Sequence, residues 1–236
     1  MSDLTIATIA FNKPWAISEQ IRLFSKYVSD DHKILVFDNS SESGAASMIE
    51  RICAIEGVKY TRIITGKHFH HEALNMAAII LTEHESSPYI GFVDHDVFPA
   101  TDVSLTEQIA HAGFLTVGQR HNPTGKVYAW PGFFFMSRSW LAGRNLNFNG
   151  IKGHMRADDG DTGSMNHHLF TEDTIREMYP LTHGYENIRE HDDYGIQSFG
   201  IERIGDFIHL TNTSGWMDVP DAEGRERLLR ERVREL

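Results

Sequence analysis

Two aspartates one residue apart, in Asp94-His95-Asp96, are the residues of this chain whose type and spacing most directly imply chemistry. They follow the apolar run Tyr89-Ile90-Gly91-Phe92-Val93 and precede Val97-Phe98-Pro99, the pattern of a buried strand that delivers acids to its C-terminal edge. Carboxylates so close repel each other, and a divalent cation relieves the repulsion. Mg²⁺ typically takes one or two protein carboxylates and completes its shell with substrate phosphate and water. The pair therefore reads as a metal–diphosphate site, against the plainer reading of a solvated loop acid beside a cap. The spacing alone is common by chance, so its weight comes from the elements that position it.

Those elements alternate. Leu4–Ala10 reads as a strand, Pro14–Val28 as a helix with proline at its start, and Lys33–Phe37 as a second strand. Ala45–Ile55 carries Met48, Ile49, Ile52 and Ile55 at helical spacing, with Cys53 among them as a buried thiol. Val58–Ile64 is a third strand, His71–Glu83 a helix with an apolar face, and Tyr89–Val93 a fourth strand. Such alternation predicts an α/β fold with a parallel sheet and right-handed crossovers. Ligands of these sheets bind outside the carboxyl ends of the strands. Phe11-Asn12, Asp38-Asn39-Ser40-Ser41 and Asp94-His95-Asp96 all fall at such ends.

Beyond residue 100 the pattern changes. Ser104–His111 reads as a helix, and Phe114–Gln119 and Val127–Met136 as strands around the turn His121-Asn122-Pro123-Thr124-Gly125. A polar, glycine-rich region follows over Asn145–Gly163, and Phe199–Ile204 with Phe207–Leu210 reads as a hairpin closed by Gly205-Asp206. This half is expected to build on the same sheet. Asp221–Leu236 is a helix rich in Arg and Glu, expected to dock on its own domain through Leu229, Val233 and Leu236. The expected organisation is one domain over 1–236: a ligand-binding half over 1–100, an acceptor-side half over 101–220, and the helix over 221–236.

Length and charge narrow the classes. A chain of 236 residues can bury one good core, and its 41% hydrophobic content is ordinary for a globular protein. A net charge of −11 argues against a nucleic-acid binder, and the single cysteine excludes an internal disulfide framework. Without a long apolar stretch or a signal peptide, no integral membrane segment is expected, and the default location is cytoplasmic. Of fourteen histidines, seven cluster, at His68, His70, His71, at His167, His168 and at His183, His191, and most are read as polar loops and surface.

The order strand, Phe11-Asn12, strand, Asp38-Asn39-Ser40-Ser41, helix with Ala73-Leu74-Asn75, strand, Asp94-His95-Asp96 resembles the GT-A fold glycosyltransferases, family 2 type above all. The resemblance covers the first half of the chain. Leu74 departs from it, standing where the family usually has Arg, and Thr8-Ile9-Ala10-Phe11-Asn12 lacks the early proline. The family implies a mostly parallel, Rossmann-like sheet and transfer of a sugar from a UDP- or GDP-type donor to an acceptor hydroxyl. Phe11 would stack on the base and Asp38 accept its N–H, with Asn39 beside it on the donor-binding turn. Asn75 would support a turn near the ribose or sugar, Asp94 would contact ribose or the metal shell, and Asp96 would ligate Mn²⁺ or Mg²⁺. Lys67, on the loop entering that edge, is a cation within reach of phosphate, or a solvated lysine.

Three later features join this list. Trp130-Pro131-Gly132-Phe133 resembles the segment lining the sugar pocket, where an indole stacks on a sugar and glycine permits close approach; a bend in an apolar strand is the plainer alternative. Asp158-Asp159-Gly160-Asp161 offers a general base for an inverting transfer, which the family keeps at a helix head. Asp161, ahead of an expected helix over Thr162–Phe170 that it would also cap, and Asp159 are the candidates, with Asp192-Asp193 competing. His209 stands where some GT-A enzymes supply a third metal ligand, which would favour Mn²⁺ over Mg²⁺. Trp216 is a candidate to close over the donor. The rival readings are a haloacid-dehalogenase-like phosphatase using Asp94 and Asp96, an Fe(II) oxygenase using His191, Asp193 and His209, and a non-catalytic GT-A-like nucleotide-sugar-binding module.

Overall fold

The computed structural model describes residues 2–63, 70–121, 124–150, 162–174, 184–188, 200–211, 213 and 219–236. Its main sheet has six strands in the order β3-β2-β1-β4-β7-β6. These are β1 (Leu4–Ala10), β2 (His32–Asp38), β3 (Lys59–Arg62), β4 (Tyr89–Asp94), β6 (Phe114–His121) and β7 (Lys126–Ser137). The first four run parallel, and β7 and β6 add antiparallel at one edge. This is the mostly parallel, helix-flanked α/β sheet that the sequence predicts. Every residue of β1 is buried, as in strands covered on both faces.

Helices α1 (Pro14–Tyr27), α2 (Ser43–Glu56) and α4 (Leu105–Ala112) cover one face. On the other lie α3 (His70–Glu83) and the short α5 (Arg138–Leu141), with Phe148 and Phe170. Leu74, the departure from the family pattern, is 1% exposed and packs among the apolar side chains of this second core.

Cys53 is fully buried on the α2 side. Burial, with Asp38's charge adding, pushes its thiol up to about 11. Because the thiolate is the reacting species, a disulfide reagent is expected to label native protein only as fast as it opens, and to label it at once in denaturant. Prompt labelling of folded protein would contradict this burial.

The second half departs from expectation. Strands β6 and β7 do extend the main sheet. However, β8 (Gly184–Asn187), β9 (Gly200–Ile204) and β10 (Phe207–Leu210) form a second, antiparallel sheet in the order β5-β10-β9-β8. Its other edge, β5 (Val97–Pro99), is the stretch just after the acidic pair. The β9–β10 hairpin turns at Gly205-Asp206, with Gly205 at φ 55° as a two-residue hairpin allows. The expected helix over Thr162–Phe170 is a 3-10 helix, Ser164–Leu169, with Gly163 rather than Asp161 at its N-cap.

Helix α6 (Ala222–Arg234) docks on its own fold as expected. Leu229 and Val233 are fully buried against Ala16, Leu23, Phe98 and Ile208. Glu226 accepts from Lys13 Nζ at 2.5 Å and from Trp15 Nε1 at 2.6 Å. The parallel sheet gives no support to a jelly-roll oxygenase. No helix among the described residues is long and apolar enough to cross a membrane.

Candidate active site

Register brings the expected clusters to one edge. On either side of β1, Ala10 pairs with Asp38 and Ile9 with Asp94. The loops after β1 and β2 are tied together: Asn12 sits at φ 52°, its backbone N–H donates to Ser40 Oγ at 2.8 Å, and its side-chain amide donates to Ser41 Oγ at 2.7 Å. Phe11, beside it, is half-buried.

Asp38 is turned inward. Its side chain is fully buried. Oδ1 accepts Ser40 N–H at 2.9 Å, and Oδ2 accepts Tyr60 O–H at 2.8 Å and faces Arg62 Nη1 at 3.1 Å. Arg62 also donates to the carbonyls of Asp38 and Ser40. Asp38 thus braces its own loop, and a nucleobase would reach it only if Tyr60 or Arg62 moved. Asp38→Ala is expected to cost about 3 kcal/mol of stability by urea unfolding, because it strands partly buried donors. An unchanged melt together with lost donor affinity would restore the direct base contact.

The acidic pair itself is held from several sides. Gln20 of α1 is 1% exposed, a polar residue on the helix's apolar stripe. Its amide donates to the carbonyls of Asp94 at 2.8 Å and Val97 at 2.9 Å, clamping the turn between them. His95 points inward, with Nδ1 3.1 Å from Ile9 O, and Asp94 and Asp96 flank it. Asp94 Oδ1 lies 3.1 Å from Nε2 of His70, the first residue of α3. Asp94 Oδ2 packs over Gly132, where a Cβ would fall 2.5 Å from that oxygen and 2.5 Å from Trp130 Cε2. Gly132 therefore permits close approach, and what approaches it is Asp94 and Trp130.

His209 reaches Asp96 through the second sheet. It pairs with Val97 across β5–β10, and Leu210 N–H donates to Asp96 O at 2.9 Å. Its Nδ1 is 2.9 Å from Glu202 Oε2, and its Nε2 is 3.8 Å from Asp96 Oδ1. Trp130 lies against the imidazole, ring centres 4.7 Å apart.

The electrostatics follow from this crowding. Burial pushes the Asp96 carboxyl up and Asp94's charge adds to it, against the pull of His95 and His209. For Asp94 burial also acts upward, but His70 first, then His95 and His209, hold it below the usual range. Both His70 and His209 are raised: burial opposes their protonation, and their carboxylate neighbours outweigh it.

Among the described residues no group of three or more His, Cys, Asp and Glu side chains stands as a ready metal cage. The donors fit an open site instead. Adjacent ligands about 2.1 Å from a shared octahedral cation lie roughly 3 Å apart, and Asp96 Oδ1 and His209 Nε2, 3.8 Å apart, would close by under about 1 Å to share one. Glu202 fixes the His209 ring as outer partners of metal-binding imidazoles do.

Asn75 supports a turn, accepting Phe148 N–H at 2.9 Å and donating to Asn149 Oδ1 at 3.0 Å. A groove of about 480 Å³ runs from it along α3, away from the acidic pair. Lys67, Asp158, Asp159, Asp161, His191, Asp192, Asp193 and Trp216 lie outside the described residues. Gln20, His70 and Glu202 are additions that sequence reasoning did not assign to the site.

No protein-family model matches the chain. No curated protein sequence matches it. Among solved structures it is similar to the mannosyltransferase PcManGT from Pyrobaculum calidifontis, in complex with GDP-Man and Mn²⁺, at 17% identity and TM-score 0.49, over 70% of this chain and 50% of that one. It is similar to S. aureus TarS at 15% identity and TM-score 0.40, over 62% and 30% of the two chains. Glucosyl-3-phosphoglycerate synthase from Mycobacterium tuberculosis gives 16% identity and TM-score 0.41, over 59% and 58%. The chain thus spans less than two thirds of each of these proteins. Likenesses this distant leave the GT-A reading resting on the strand order and on the acidic pair at the end of β4.

Proposed function

We propose that this protein is a glycosyltransferase that moves a sugar from a nucleotide-diphosphate sugar, of UDP or GDP type, to an acceptor hydroxyl. The observation that carries the reading is the meeting, at one sheet edge, of Asp94 and Asp96 with a Glu202-oriented His209 and with Trp130 over Gly132. Asp94, Asp96 and His209 would hold Mn²⁺ or Mg²⁺. The imidazole favours Mn²⁺. Such a cation stabilises the charge that develops on a departing diphosphate.

The surrounding residues have matching tasks. The half-buried Phe11 offers its ring to the base, and the braced Asp38–Ser41 loop forms the wall beside it. Lys67 is retained as a phosphate contact. The indole of Trp130, beside the acidic pair, offers a face to the sugar.

The proposed mechanism is inverting, with Asp161, or failing that Asp159, taking the acceptor's proton. A sugar hydroxyl is a weak nucleophile at neutral pH, and a carboxylate in reach supplies the base. Gly163 lies against the Pro131 ring, and Met165 N–H donates to Asn149 O at 3.1 Å.

The test is incubation with a panel of UDP- and GDP-sugars and Mn²⁺, with and without excess chelator, read by nucleotide diphosphate release and by product NMR. Chelator-sensitive release with an inverted anomeric centre supports the reading. Donor binding without release under any acceptor would make the protein a binding module, and a retained anomeric configuration would remove Asp161 and Asp159 as bases.

A further inference from the structure

We propose that His70 is a positioning residue for Asp94, holding one carboxylate oxygen so that the other is presented over Gly132 beside Trp130. The inference rests on the metal-dependent reading above and deepens it. The two oxygens of Asp94 have different surroundings. Oδ1 has His70 Nε2 at 3.1 Å, whereas Oδ2 sits over Gly132 against the Trp130 indole, whose other neighbour is His209. A carboxylate tied at Oδ1 loses its free rotation about χ2 and offers Oδ2 in one direction. At 3.1 Å the contact is an ion-pair approach that falls short of an aligned hydrogen bond, and it is the polar neighbour Oδ1 has on this side.

His70 is itself well anchored. It is the first residue of α3, and Ala73, Leu74 and Ala77 bury that helix's inner face. At the other end of the contact, Gln20 pins the Asp94 carbonyl, which leaves the side chain as the part still to be oriented. The arrangement parallels the one at His209. There a carboxylate, Glu202, fixes an imidazole; here an imidazole fixes a carboxylate.

The pair's side chains are 37% and 20% exposed, so as an ion pair it adds little to stability. Its worth lies in orientation. Outer partners of metal ligands are typically worth 10–100-fold in metal affinity.

The experiment is a Mn²⁺ titration of the whole chain, following loss of the free-ion EPR signal, for wild type, His70→Ala, His70→Gln and Asp96→Asn. His70→Ala is expected to weaken Mn²⁺ binding by about 10–100-fold at an unchanged melting temperature. His70→Gln, whose amide is polar and of similar reach, is expected to recover part of that loss. The imidazole nitrogen coupling of bound Mn²⁺ should persist in His70→Ala. Wild-type affinity in His70→Ala, with binding lost in Asp96→Asn, would sink the proposal and leave the metal reading standing. Loss of an imidazole coupling in His70→Ala would make His70 a ligand and overturn its positioning role. A wild-type protein that does not bind Mn²⁺ would overturn both.

Discussion

Asp96→Asn is expected to abolish sugar transfer while leaving the protein folded. Asparagine keeps the side chain's shape, and the Leu210 N–H bond goes to the Asp96 backbone carbonyl, which the substitution does not touch. What is lost is a negative charge in a confined place. Asp96 is 5% exposed, and burial together with Asp94's charge makes its ionised form costly unless a cation shares the site. In the folded protein without metal, removing that charge relieves repulsion, so the melting temperature is expected to hold or to rise slightly. In turnover the same removal would take away one of the side chains proposed to hold the cation, Asp96 beside His209. A loss of about a thousandfold or more, equivalent to about 4 kcal/mol of barrier, is the expected size. The checks are nucleotide release with the productive donor and a thermal melt of the variant. Full transfer by Asp96→Asn, or by wild type in excess chelator, would remove the metal from the reaction.

The parallel half of the fold was legible because its signals are local. Strands covered on both faces read as short apolar runs, helices between them show apolar stripes, and β4 ends where its acids begin. The second sheet was less visible, since β5 spans only Val97–Pro99 and its partner lies more than 100 residues later. One of its contacts was nonetheless derivable. A two-residue turn at Gly205-Asp206 forces Ile204 opposite Phe207 and therefore Glu202 opposite His209, the observed pairing. Gln20 had a signal too, as an amide on the buried stripe between Ile17 and Phe24, a place where a polar group must find partners. His70 had only its type and its clustered neighbours, because its partner is set by how α3 starts against the end of β4. Asp38 shows the opposite limit. The acidic turn was correctly located after β2, but the edge strand β3 brings Tyr60 and Arg62 over its carboxylate, and nothing local foretells that.

Gly132→Ala is expected to be the most damaging single-methyl change near the site. Its backbone is not in the left-handed region, so conformational freedom is not the reason for glycine here. Space is the reason. A Cβ would stand 2.5 Å from Asp94 Oδ2 and 2.5 Å from Trp130 Cε2, closer than real contacts allow. Neither neighbour can yield freely, because the indole lies against His209 and Asp94 has His70 at its other oxygen. Overpacking of this kind costs about 1–3 kcal/mol in stability. The displaced carboxylate should cost more in function, since a shift near 1 Å in a reacting site can lower turnover about a hundredfold. Gly91→Ala separates the two effects. Its Cβ would meet Phe135 Cε1 at 2.5 Å in the interior of the same sheet, so it should lower stability while the folded fraction keeps its Mn²⁺ affinity. Pairing Gly132→Ala with Trp130→Leu should recover part of the lost stability by vacating the ring's space, but not the turnover, because Asp94 still meets the new methyl. If Gly132→Ala melts lower yet transfers sugar as wild type does, Asp94's position is not critical, and the site would have to be rebuilt around Asp96 and His209 alone.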